Sequence, residues 1–157
     1  MGNVFFYSTM VGEIGIADNG TAITKVYFSR GHRPEAQEVG ESALIKTAAA
    51  QLKEYFGGKR KSFEFPLAPE GTVFQQAVWE ALQVIPYGET RSYKDIAVSI
   101  NQPNAARAVG MANNRNPIAI VIPCHRVIGA NGKLVGYGGG LDIKEKLLGL
   151  EQAVLVN

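Results

Sequence analysis

The sequence predicts two unlike units in one chain: a small α+β domain with an antiparallel sheet, then a mostly helical domain carrying a helix-turn-helix. Three observations predict it. The first 30 residues hold short apolar runs broken by an Asn-Gly turn signal. FPLAPEG (65–71) is punctuated by two prolines and a glycine, as links between domains are. Beyond it the apolar spacing is helical almost throughout. The expected division is residues 1–67 and 68–157.

In the first unit VFFYST (4–9), GEIGIA (12–17) and AITKVYFS (22–29) read as strands. Asn19-Gly20 reads as a two-residue type I′ turn, which needs positive φ at both positions. GHRPEAQEVGE (31–41) reads as loop. SALIKTAAAQLKEYF (42–56) places Leu44, Ala48, Leu52 and Tyr55/Phe56 on one helical face, and Gly57-Gly58 ends it.

In the second unit Thr72 with Gln75 fits a capping box. It opens a helix whose stripe is Val73, Phe74, Ala77, Val78, Ala81 and Leu82, stopped by Pro86-Tyr87-Gly88. Trp79 in that helix reads as packing. Ser92 with Asp95 opens a short helix with Ile96 and Ile100 inward, NQPN turns the chain, and Asn104 is placed to cap AARAVGMA. Two short helices about a tight turn make the helix-turn-helix pattern, which also occurs in hairpins that bind nothing. The small side chains of the second helix suit close approach, either to a neighbouring helix or to another surface. IAIVIP (118–123) reads as a buried strand or extended core segment. GYGGGLD (136–142) is a glycine-rich loop without the lysine of a P-loop, and Asp142 and Glu145 open a last helix with Ile143 and Leu147 inward.

Composition narrows the function classes. The chain has 157 residues, a formal charge of +2, one cysteine and two histidines. One cysteine makes no internal disulfide and no zinc site of the two-cysteine kind, which suggests a reducing compartment. The N-terminus has no basic, apolar leader, and no apolar run approaches the roughly 20 residues of a membrane span. A cytoplasmic protein is expected. From Thr90 to Lys133 stand Arg91, Lys94, Arg107, Arg115, Arg126 and Lys133 against Asp95 alone. That local excess fits a nucleic-acid face or a solvated surface.

Cys124, the lone cysteine, is followed by His125 and Arg126. An ordinary thiol is only about 3% ionised at neutral pH, so a nucleophilic role needs a base and an orienting group. Neighbours on an extended strand face opposite ways, so the pair cooperates only across a turn or through a water. Taken alone, a cysteine after an apolar run also fits the core.

IPCHRV (122–127) resembles the active-site motif of the O6-alkylguanine-DNA alkyltransferases, the methylated-DNA–protein-cysteine methyltransferase family. GETRSY, NAARAVGMANNRNP, IPCHRVIGANG and GYGGGLDIKEKLLGLE match it in order and spacing over residues 70–151. The resemblance implies a ribonuclease H-like first domain and a winged-helix-like second domain. It implies irreversible, single-turnover transfer of an alkyl group from O6 of guanine, and from O4 of thymine as a further substrate, to Cys124. His125 would be the base, acting through a water, and Glu151 the carboxylate that holds it. Asn116 would brace the site, and Tyr93 would donate to N3 of the guanine. The carbonyls of Cys124 and Val127 would accept from the exocyclic amine, and the Gly138 amide would donate to O6. Many relatives have serine at that last position, so more room for larger alkyl groups is expected here. The partner implied is double-stranded DNA carrying O6-alkylguanine, bound through the minor groove with the base flipped out. Ala105 and Ala106 would fit the groove, Arg107 would fill the vacated gap, and Arg91 and Arg115 would serve the DNA contact. Arg126 would tie the two domains together.

No cofactor is expected, and the protein is expected to be a monomer off DNA, nucleoid-associated when bound. Some relatives hold zinc in the first domain through cysteines and a histidine. Here His32 stands without cysteines, so no metal is expected. A non-catalytic sensor of alkylated bases and a cysteine hydrolase are the alternatives.

Overall fold

The computed structural model describes residues 2–30, 38–137 and 139–156. The chain divides into two compact units, Met1–Glu70 and Gly71–Asn157.

In the first unit β1 (Asn3–Thr9), β2 (Gly12–Asp18) and β3 (Ile23–Phe28) form an antiparallel meander, with Phe6 opposite Gly15 and Ile16 opposite Val26. β4 (Glu38–Val39) pairs parallel to β1, so the sheet is mixed and runs β3-β2-β1-β4. This corrects the expected all-antiparallel sheet and the reading of 38–39 as loop. Two residues carry no local strand signal; pairing with β1 alone makes them one. The loop after β2 also differs. Gly20 has φ of +96° but Asn19 is not in the left-handed region, so the turn is not type I′. Instead Asn19 Oδ1 accepts from the amides of Thr21 and Ala22, each at 2.9 Å, an Asx turn.

FPLAPEG is not a free link. Ile23 N donates to Pro66 O and Ala68 N to Ile23 O, extending the β3 edge. α1 (Ala43–Phe56) starts at Ser42, whose Oγ accepts from Ile45 N and donates to buried Asp18. Its buried stripe is Ile45, Ala48, Leu52 and Tyr55, one residue out of phase at the start from that expected at Leu44. It packs with Val4, Ile14, Ile16, Ile23 and Val26 as the core of this unit.

In the second unit α2 (Val73–Gln83) opens on a complete Thr72/Gln75 capping box. Val78, Trp79 and Leu82 are buried and Val73, placed in the stripe by spacing, is exposed because it sits in the unpacked first turn. Trp79 is a packing residue whose Nε1 donates to Ala112 O at 2.9 Å. β5 (Arg91–Ser92) leads into α3 (Tyr93–Ser99), again with a complete capping box, Ser92 with Asp95. α4 spans Ala106–Asn114. Its N-cap is Ala105, without a side-chain bond, rather than Asn104. Main-chain bonds close the turn instead, Gln102 N to Ala97 O and Ala105 N to Gln102 O, and Lys94 Nζ takes Pro103 O at 2.6 Å.

IAIVIP is buried but is not a strand. Ile120 has φ of +72°, and the chain folds back so that Ile122 N donates to Ile118 O. A single 3₁₀ turn, Cys124–Arg126, follows and enters β6 (Val127–Ile128), which pairs parallel to β5. α5 (Leu141–Val156) closes the unit, with Ile143, Lys144, Leu147 and Glu151 facing inward. No helix among the described residues is long and apolar enough to cross a membrane.

Candidate active site

Proline at 123 and the 3₁₀ turn after it put Cys124 and His125 on adjacent faces of a tight bend rather than opposite faces of a strand. Cys124 is 5% exposed; His125 and Glu151 are fully buried. His125 Nε2 meets Glu151 Oε2 at 2.7 Å. The same carboxylate accepts from Arg126 Nε at 2.9 Å, Arg126 Nη2 at 3.1 Å and the Gly88 amide at 2.9 Å. Arg126 Nη1 donates to Ile85 O at 2.8 Å, and its guanidinium lies 5.5 Å from the Tyr87 ring centre. Arg126 thus holds Glu151 within the second unit.

The electrostatics define the resting state. Burial pushes the Cys124 thiol up, against lowering by a bond to the Asn116 side chain and by the charge of Lys144. Burial pushes His125 down, more than the Glu151 carboxylate raises it. Both shifts favour the neutral forms, a thiol at Cys124 and an uncharged imidazole at His125.

Asn116 braces the fold-back before Cys124: Nδ2 donates to Ile122 O at 2.7 Å and Oδ1 accepts from Ile118 N at 3.0 Å. The phenol of Tyr93, half-buried, donates to Val135 O at 3.0 Å, and its pKa is raised by burial and by the nearby Cys124. Val127 is buried, its amide donating to Cys124 O. Gly138 lies outside the described residues, as does His32.

Two residues that sequence reasoning missed stand here. Buried Asn113 donates through Nδ2 to Cys124 O at 3.3 Å, and Lys144 donates through Nζ to Val127 O at 2.5 Å. Lys144, Leu147 and Glu151 follow helical spacing i, i+3, i+7, a signal that could have found the lysine.

Of the other named residues, Arg91 lies opposite Val127 in the β5–β6 pair, and the rest are on or beside α4. Arg107, Ala108, Met111, Asn114 and Arg115 form one exposed stripe along α4, while Ala105 and Ala106 are half-buried at its start. Arg91 is paired with Glu89 at 3.1 Å. Among the described residues no group of three or more His, Cys, Asp or Glu side chains is placed to hold a metal.

Comparison with known proteins covers both units. Residues 5–69 match the 6-O-methylguanine DNA methyltransferase ribonuclease-like domain, and residues 73–153 the DNA-binding domain of the same family. A methylated-DNA–protein-cysteine methyltransferase of Methanosarcina barkeri is 56% identical over 145 residues, 90% of this chain and 92% of that protein. A constitutive one from Bacillus subtilis is 46% identical over 151 residues, 92% of each. Among solved structures, Mycobacterium tuberculosis OGT in complex with DNA superposes with a TM-score of 0.92 at 45% identity, covering 97% of this chain and 94% of that one.

Proposed function

The chain belongs to the methylated-DNA–protein-cysteine methyltransferase family, and from that premise we propose how its own residues perform the transfer. It is a direct-reversal DNA repair protein: the alkyl group passes from the damaged base to a cysteine of the protein itself. One observation carries the assignment of the acceptor. The chain has a single cysteine, so the acceptor is Cys124.

The proton leaves Sγ through a bridging water to Nδ1 of His125, because Nε2 is held by Glu151. Sulfur attacks the alkyl carbon, the S–C bond forms and the C–O6 bond breaks. The electron pair stays on guanine, which takes up a proton in turn. Tyr93 leaves Val135 O to donate to N3 and offset the charge as it develops there. The exocyclic amine is received at Val127 O, which also accepts from Lys144 Nζ. Cys124 O already takes the Val127 amide and the longer Asn113 bond, so it is the weaker acceptor. The Gly138 amide donates to O6. The thioether has no leaving group that water can displace, so each molecule acts once.

α3 and α4 act as a helix-turn-helix laid into the minor groove. The exposed stripe of α4 supports this reading, with Arg107 and Arg115 at its ends and the unbranched Met111 between them. Arg107 fills the gap left by the extruded base, a step that costs a few kcal/mol and least for a badly paired lesion. Ala105 and Ala106 let the start of the helix approach closely. Arg115 meets phosphate, and Arg91 does so only by leaving Glu89.

The test is Cys124→Ser with duplex DNA bearing labelled O6-methylguanine. Loss of label transfer with DNA binding retained is expected. Transfer that survives the substitution overturns the assignment of the acceptor.

A further inference from the structure

A fourth buried group adjoins the relay of Cys124, His125 and Glu151 and takes no proton from it. Arg126 is buried, and each of its guanidinium nitrogens has an acceptor. Nε donates to Glu151 Oε1 at 2.9 Å and Nη2 to Glu151 Oε2 at 3.1 Å, a two-pronged grip on one carboxylate. Nη1 donates to Ile85 O at 2.8 Å, which fixes the guanidinium against the turn after α2. The Gly88 amide of that turn donates to Glu151 Oε1 at 2.9 Å.

One carboxylate thus faces two partners of different kinds. His125 Nε2 and Arg126 Nη2 share Oε2, at 2.7 and 3.1 Å, so the two nitrogens stand within about 6 Å of each other, a range over which a charge moves a pKa. A buried carboxylate draws a proton onto an imidazole bonded to it. A guanidinium is always charged and meets that need first. With Glu151 and Arg126 compensating each other, a second cation on His125 would stand in a dry site with no anion of its own.

No other neighbour reverses this balance. From its own turn Cys124 faces His125 as a thiol, and from α5 Lys144, held by the Val127, Val135 and Gly136 carbonyls, opposes a charge on the ring. Tyr87 lies over Arg126, and the phenols of Tyr93 from α3 and Tyr137 face Cys124. Burial keeps Tyr87 and Tyr93 protonated. Asp142, Glu145 and Lys146 on α5 are exposed to water.

We infer that Arg126 is a positioning residue for the relay: by gripping both oxygens of Glu151 it supplies the counter-charge that the carboxylate would otherwise draw onto His125, and so keeps the imidazole an uncharged base. This rests on the reading of His125 as the base and deepens it. Glu151 fixes the tautomer of the ring through Nε2, and Arg126 sets the ring's resting charge. The direction of the His125 pKa agrees: burial is the main cause of its lowering, and the Arg126 charge works against the carboxylate.

The experiment is an NMR titration of ring-nitrogen-labelled histidine in a His32→Gln background, which leaves a single imidazole. Arg126→Met is compared with the parent. Removing a like charge at this range is expected to raise the His125 midpoint by about one unit or more. The acid limb of alkyl transfer from free O6-benzylguanine is expected to move up with it, which a merely structural loss would not produce. A His125 midpoint that is unmoved or lower in Arg126→Met overturns the inference.

Should Arg126→Met not fold, the same titration compares Glu151→Gln with Glu151→Gln/Arg126→Met, in which no carboxylate is left without its partner. The double variant is expected to have the higher His125 midpoint, and equal midpoints contradict the inference. Wild type that takes no benzyl group fails the reading of the relay instead, whatever the titration shows, so the two failures are distinct.

Discussion

Glu151 is the residue on which the site's geometry turns. Its carboxylate takes donors from His125, Arg126 and Gly88 while fully buried. Removing one member of a buried ion pair costs about 3–5 kcal/mol, because the other charge is left without compensation. Glu151→Ala is expected to lose that much in denaturant unfolding and to lose transfer from free O6-benzylguanine as well. A loss below about 1 kcal/mol, the size of a solvent-exposed pair, contradicts a dry pair. His125 adds a pH dependence of definite sign. Its folded pKa is lowered, so below about 6.5 the unfolded chain binds a proton that the folded chain still refuses. Stability falls as pH falls through that window and is indifferent to this group above it. The thermal midpoint should drop between pH 7.5 and 5.5, and drop less in His125→Gln; equal drops place the proton elsewhere. The meeting of His125 with Glu151 was legible because the family resemblance carries both residues. Lys144 and Asn113 were not, because a lysine or asparagine in a helix reads as solvated until the partners that bury it are known.

At the scale of elements, what local chemistry encodes was readable and what distant pairing encodes was not. Both capping boxes, Thr72 with Gln75 and Ser92 with Asp95, stand as the sequence implies. β4, β5 and β6 are two residues long and exist only through partners far along the chain. The apolar run 118–123 reads as a strand, yet Ile120 at positive φ turns it back. A β-branched residue rarely adopts that conformation, so the surrounding structure must impose it. The bond from Asn116 to Ile122 O and the buried packing of Ile118 and Ile122 hold the turn, and the turn delivers Cys124. α4 gives the functional prediction at this scale. Arg107 is exposed on α4 while Cys124 is buried, so Arg107→Ala should leave reaction with free O6-benzylguanine within about twofold. It should slow repair in duplex DNA about tenfold or more, since extrusion of the base costs a few kcal/mol. Equal losses on both substrates contradict the role in extrusion.

In the whole molecule, the second unit holds every residue placed in the chemistry, while the first supplies a sheet and helix with a separate core. The two-part α+β and helical plan was legible from the change in apolar periodicity near residue 70, and the mixed sheet was not. The central claim concerns the fate of one atom: the alkyl carbon leaves guanine and stays on the only sulfur that a cysteine of this chain provides. The direct measurement is mass spectrometry of the Cys124 peptide after incubation with excess duplex DNA containing O6-methylguanine. The account predicts a gain of one methyl group on that peptide, reaching one per protein molecule and stopping there. An unmodified peptide in a protein that binds the DNA tightly, or demethylation continuing beyond one equivalent, contradicts it.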